Sequence, residues 1–187
     1  MLQTNKFNSM HINLHKMKNK FKTIFVLSAF LLAVITIHSC KKEEKEIDKE
    51  LYELAKETSG FVWYKNSSSL LSKSSGSGHP QTSLRTRYNA IAASKLDANG
   101  KIMANATFSE GALIVKELYE NSSELSRYAI LLKKSDSPFA DDKGWVWGYI
   151  NANGKVAEAA SNKGKACISC HNQSDNIDYM LMNKYFP

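Results

Sequence analysis

The sequence predicts an α+β fold: an antiparallel β-sheet core with a helix on its N-terminal side and a helical turn near the C-terminus. Three observations carry this. Four runs between residues 84 and 152 show the alternation or β-rich composition of strands. Two Asn-Gly pairs, Asn99-Gly100 and Asn153-Gly154, sit where hairpins would turn, and they predict type I′ turns. A charged stretch with helical spacing precedes the strands, and a close cysteine pair follows them.

Taken in order, the first segment reads as an export signal. Lys16, Lys18, Lys20 and Lys22 precede an apolar run of fifteen residues from Thr23 to Ile37, shorter than the roughly 20 residues that span a bilayer. "IHSC" follows, and a small residue before Cys40 in that setting resembles a bacterial lipoprotein signal. Residues 1–39 are therefore expected to be a lipoprotein signal peptide, with Cys40 as the lipidation site and an exported, membrane-anchored product. An uncleaved anchor is the other reading. Met17 begins a more typical signal than Met1, so either is a candidate start.

In "KKEEKEIDKELYELAKETSG", Ile47, Leu51 and Leu54 recur at helical spacing and Gly60 can cap the end, which predicts a helix over 43–58. Its charges read as a solvated face. Residues 65–83 hold eight Ser in nineteen positions and read as a linker. Residues 40–83 would then form a lipid-anchored helix and linker, and residues 84–187 the folded domain. The strands of that domain are expected in "LRTRYNAIAAS", with Leu84, Thr86 and Tyr88 on one face and Arg85 and Arg87 on the other, then in 112–120, 127–134 and 144–152. Trp145, Trp147 and Tyr149 alternate in the last; they read as core, or as an interface between copies.

Charge narrows the function. The net charge is +7, but residues 1–39 hold five Lys and no Asp or Glu. The remainder carries 20 basic against 18 acidic residues, a balance of +2. No nucleic-acid-binding patch is expected there.

The chemistry points to "ACISCHNQ". Cys167-x-x-Cys170-His171 is the attachment pattern of c-type heme. Thiols at i and i+3 on one helical turn reach the two porphyrin vinyl groups, and the adjacent His171 offers its imidazole to the iron. Three other readings compete: a redox dithiol, which wants a thioredoxin-like context; a zinc site, which lacks a second ligand pair; and a disulfide, which leaves His171 unexplained. Only sixteen residues follow His171, so Met180 and Met182 are poorly placed to reach the far heme face. His79 and Met103 are the remaining candidates for a sixth ligand. The expectation is one covalent heme c with a five-coordinate iron open to a small ligand.

These residues bear a family likeness. "FSEGALIVKELYE", then "GWVWGYIN", then "ACISCHNQSDNIDYM" resembles the cytochrome P-460 and cytochrome c′-beta group over about residues 82–187. The resemblance implies a small β-rich heme protein, usually a homodimer, with thioethers at Cys167 and Cys170 and His171 as the metal ligand. In the P-460 branch a strand lysine also bonds the heme edge, and Lys116 falls at that place; the c′-beta branch can keep such a lysine unbonded. From alternation alone, Lys116 shares a face with Ile114 and Leu118, where a free lysine is unexpected, although a strand lysine can reach solvent. The family's distal arginine falls on Arg85, with Arg87 on the same face. One departure stands out. The distal carboxylate of hydroxylamine-oxidising members is matched here by Ala129, Ile130 and Leu131, with Glu124 out of register.

The functional expectation is a protein that binds small nitrogen oxides such as nitric oxide, or that oxidises hydroxylamine with Lys116 and Arg85 at the site. The alternative is an electron-transfer cytochrome c. A redox partner protein and a membrane surface, held through the lipid, are the expected partners.

Overall fold

The computed structural model describes residues 42–187. The lipidation site expected at Cys40, the apolar run and both candidate start methionines lie outside the described residues. The fold is α+β, as the alternation predicts. Residues 42–56 are helical (α1). Seven antiparallel strands follow: β1 (Val62–Trp63), β2 (Leu71–Ser72), β3 (Ser83–Tyr88), β4 (Leu113–Tyr119), β5 (Leu125–Lys133), β6 (Trp145–Asn151) and β7 (Val156–Glu158). Three short helices complete it: α2 (Ala90–Ala93), α3 (Ile168–His171) and α4 (Met182–Tyr185). The sheet order is β1-β3-β4-β5-β6-β7, and β2 pairs with β3 beside β1.

Each central strand buries both faces, and each face has its own core. On one, Val115, Tyr128, Ile130, Val146 and Ile150 pack beneath α1. On the other, Ile114, Leu118, Leu131, Trp145 and Trp147 pack against the C-terminal residues. The expected helix is therefore right in position but different in setting. It does not stand apart behind a linker, because residues 44–187 form one compact unit. Its Ile47, Leu51 and Ala55, one turn apart, are all buried on the sheet. Gly148 on β6 makes room: a Cβ there would lie 3.0 Å from Leu51 Cδ1. Asp48 anchors the same face, accepting from the Ala160 N–H at 2.8 Å. Leu51 is 0 % exposed, so Leu51→Ala is expected to cost about 2–5 kcal/mol, read as a lowered midpoint in chemical denaturation.

The linker expected over 65–83 does not divide the unit either. It contributes β2, and its residues 76–80 border the cavity described below. Both Asn-Gly pairs do turn the chain, but not as type I′. Gly100 and Gly154 have positive φ (70° and 84°) while Asn99 and Asn153 do not. In each, the glycine N–H closes a turn onto a carbonyl three residues back, Asp97 or Asn151. The left-handed residue then follows the turn, the pattern of a longer hairpin loop.

Candidate functional site

Register determines which side chains meet on the face away from α1. Thr86 pairs with Lys116, Lys116 with Ala129, Ala129 with Tyr149, and Tyr149 with Glu158. Directly opposed residues share a face, so these five form one row across the sheet, and all five line a cavity of about 310 Å³. The opposite wall comes from the C-terminal residues: Cys167, Cys170 and His171 on and beside α3, then Met180, Leu181, Met182 and Tyr185. His79 and its neighbours close one side.

The expected attachment residues are thus together in one cavity. Cys170 and His171 lie on α3, and Cys167 occupies its N-cap position. Both thiols are free, so the disulfide reading has no support. Burial pushes the Cys167 thiol up from its ordinary value. Among the described residues no group of three or more His, Cys, Asp or Glu could hold a metal ion on its own.

His171 Nδ1 is 2.8 Å from the Tyr179 carbonyl oxygen. A carbonyl only accepts, so Nδ1 carries the proton and Nε2 keeps its lone pair. Desolvation, with Lys116 nearby, lowers the His171 pKa to about 4, so the ring is neutral at ordinary pH. The carbonyl is itself held in place. Asp178 and Tyr179 take left-handed backbone (φ 49° and 70°), and Asp178 accepts from Trp145 Nε1 and from the Phe108 N–H, each at 3.0 Å. Trp147 stands perpendicular to the imidazole at 5.3 Å. This donor set fits a heme: two unpaired thiols one helical turn apart, a neutral imidazole with a committed tautomer, and an apolar wall of Ile114, Ala129 and Leu131 facing them.

Lys116 lies in the cavity as its alternation implies, with part of its surface open to the space. Desolvation brings its amine down to about 8. The folded value is depressed, so between about pH 8 and the unfolded value of 10.5 the unfolded chain holds a proton that the folded one lacks. Stability through this group therefore rises with pH across that window. In the heme-free protein, Lys116→Met is expected to be more stable than wild type at pH 7. That advantage should shrink by pH 10, read from paired urea midpoints.

Arg85 is not at this site. It pairs with Glu117, whose side chain faces α1, and its guanidinium stacks over Trp63 at 4.6 Å. Arg87 is on that same back face and fully buried. The expected distal role for Arg85 is thereby corrected: Thr86, one residue on, is the side chain that faces the cavity. On the cavity face of the sheet the guanidinium is Arg127, beside the lining residues rather than among them, 4.4 Å over the Tyr149 ring and bonded to Asn151 Oδ1 at 2.7 Å. Counting back two residues from Ala129 would have found it.

Three further placements differ from expectation. Met103 is 41 % exposed, away from the cavity. Met180 and Met182 do line it, and Met182 Sδ accepts from Thr86 Oγ1 at 3.3 Å. The cavity also holds a carboxylate: Glu158, at the end of the cross-strand row, accepts from Asn162 Nδ2 at 3.0 Å. Nothing in "VAEAASN" announces it, since only register brings it there.

A family model described as cytochrome P460 matches residues 62–182. Neither a search of curated proteins nor one of solved structures returned a match.

Proposed function

Because this chain belongs to the cytochrome P460 family, whose members carry heme iron and serve nitrogen-oxide metabolism, we propose that it is an exported c-type heme protein that binds small neutral nitrogen oxides in the cavity above β4–β6. The carrying observation is the wall of Ile114, Ala129 and Leu131 opposite His171. Apolar walls exclude water and favour an uncharged diatomic over an anion. Cys167 and Cys170 would hold the heme by thioether bonds, and His171 Nε2 would be its axial ligand. When bound, the heme supplies an iron that coordinates nitrogen oxides and exchanges electrons with them. The chain's own residues position it. The Tyr179 carbonyl holds the Nδ1 proton of His171 and raises the basicity of Nε2.

A second reading, hydroxylamine oxidation, is favoured by Lys116 and Glu158, which line the same cavity. Lys116 Nζ would modify the heme edge, and the Glu158 carboxylate would accept protons released by the substrate. An electron-transfer role is the third. Lipidation at Cys40, a membrane surface, a redox partner protein and a homodimer complete the proposal. Cys40→Ala is expected to release the mature protein from membrane fractions.

The test is the protein produced with cytochrome c maturation machinery. The reduced protein should bind nitric oxide stoichiometrically. An ordinary Soret band would favour ligand binding, whereas a strongly red-shifted one with hydroxylamine turnover would favour oxidation. A heme-loaded ferrous protein that ignores nitric oxide would overturn the first reading.

A further inference from the structure

His79 is the one histidine besides His171 in the described residues, and the structure brings the two together. Both line the cavity. Their ring centres are 6.5 Å apart and their planes cross at 75°. His79 Nδ1 is 3.2 Å from Tyr149 Oη, as His171 Nδ1 is 2.8 Å from the Tyr179 carbonyl. In each ring one nitrogen is anchored, while Nε2 makes no hydrogen bond among the described residues. A carbonyl fixes the His171 tautomer, and the Tyr149 hydroxyl can accept from His79 Nδ1 as well as donate to it, so both rings can take the form of metal-ligating histidines, whose second nitrogen gives its proton to a neighbouring acceptor.

The spacing suits a shared metal. With metal–nitrogen bonds of about 2 Å, two imidazoles on opposite sides of one metal keep their ring centres about 6 Å apart. Direct edge contact between rings spans a range of about 4.5–7 Å that also includes this value. The anchored Nδ1 atoms and the cavity between the elements decide in favour of the metal. The geometry points to His79 as a second, displaceable axial ligand that covers the iron at rest and yields to an incoming nitrogen oxide. This rests on the heme reading above and adds the regulation of its open side.

The two ligands are unequal, and the inequality says which one yields. His171 is tied to a backbone carbonyl and sits in α3. His79 meets a phenol hydroxyl, which accepts less strongly than a carbonyl and can also donate, and a guanidinium lies over that phenol ring. It therefore gains less basicity from its second shell. It also sits in a loop between β2 and β3, flanked by Gly78 and Pro80, with no helix or strand to hold it. Exchange breaks one iron–nitrogen bond and makes another. No electron moves, and His79 leaves as neutral imidazole.

The experiment compares wild type, His79→Ala and Tyr149→Phe, each heme-loaded, by absorption and electron paramagnetic resonance of the ferric state. Wild type should be predominantly low-spin. His79→Ala should be high-spin and return to low-spin when free imidazole is added. Tyr149→Phe keeps the ligand but removes its anchor, and should show a raised high-spin fraction. If His79 leaves about a tenth or less of the sites open, His79→Ala should bind nitric oxide at least about tenfold more tightly in the apparent constant. A high-spin wild type would overturn the inference while leaving the heme reading intact. So would a His79→Ala protein that stays low-spin, which would assign the position to another group such as Lys116. A wild type that never carries heme would overturn both.

Discussion

Alanine at both Cys167 and Cys170 will abolish covalent heme retention: heme staining on a denaturing gel, strong for wild type, will disappear. The reason is local. The two thiols stand one turn apart, Cys167 at the N-cap of α3 and Cys170 within it, free of any disulfide, and open on the same cavity as His171. Each single variant should keep one thioether and a shifted spectrum, because the two proposed attachments would be made through different sulfurs. His171→Ala makes the complementary case. It should retain both thioethers yet lose the axial nitrogen, so staining persists while the spectrum changes. A double-cysteine variant that still stains after denaturation when Lys116→Ala is added would remove the attachment reading, and with it the c-type assignment.

Glu117→Ala will be strongly destabilising on the opposite face, by about 3–5 kcal/mol, measured as a loss of denaturant midpoint at constant slope. Glu117 is 3 % exposed and Arg87 0 %. The carboxylate accepts from Arg85 and Arg87 and, at 2.7 Å, from the Tyr119 hydroxyl. Arg87 also donates to the carbonyls of Ala55 and Glu57 at the C-terminal end of α1, so one ion cluster joins helix to sheet. Removing the anion leaves a buried guanidinium without its counter-charge, which costs more than the lost bonds alone. Glu117→Gln should recover only part of the loss, since an amide accepts through one oxygen and carries no charge. The cavity lies on the other face, so the surviving folded fraction should keep its heme spectrum.

Strands β3 to β6 were legible because alternation of side chains is a local signal. The same alternation correctly separated Arg85 from Thr86, and Lys116 from Glu117. What it could not supply was how one strand's faces map onto the next. The pairing of Thr86 with Lys116 sends Arg85 to the helix side, and no residue in either strand states that pairing. The attachment motif was legible for the opposite reason: Cys167, Cys170 and His171 lie within five residues, so one helical turn brings them together. His79 shows the limit. Its local sequence, "SGSGHPQ", is loop chemistry, and its meaning comes from Tyr149 and His171, seventy and ninety-two positions away. β1, β2 and β7 are two or three residues long, too short for a period to emerge. In the Asn-Gly pairs the glycine alone turned left-handed, which is why the places were right and the turn type was not.

The cavity's two walls are made at different times. The sheet wall is complete once β7 has been synthesised, but the facing wall consists of residues 164–185. A chain still emerging from the ribosome can therefore have its sheet and both flanking cores well begun while it has only the loop around His79, and no facing wall, to enclose a cofactor. Heme capture becomes a late checkpoint in the life of the molecule. Until it happens, an exposed trough with Trp147, Leu131 and Ile114 at its base is what quality-control proteases and chaperones would meet.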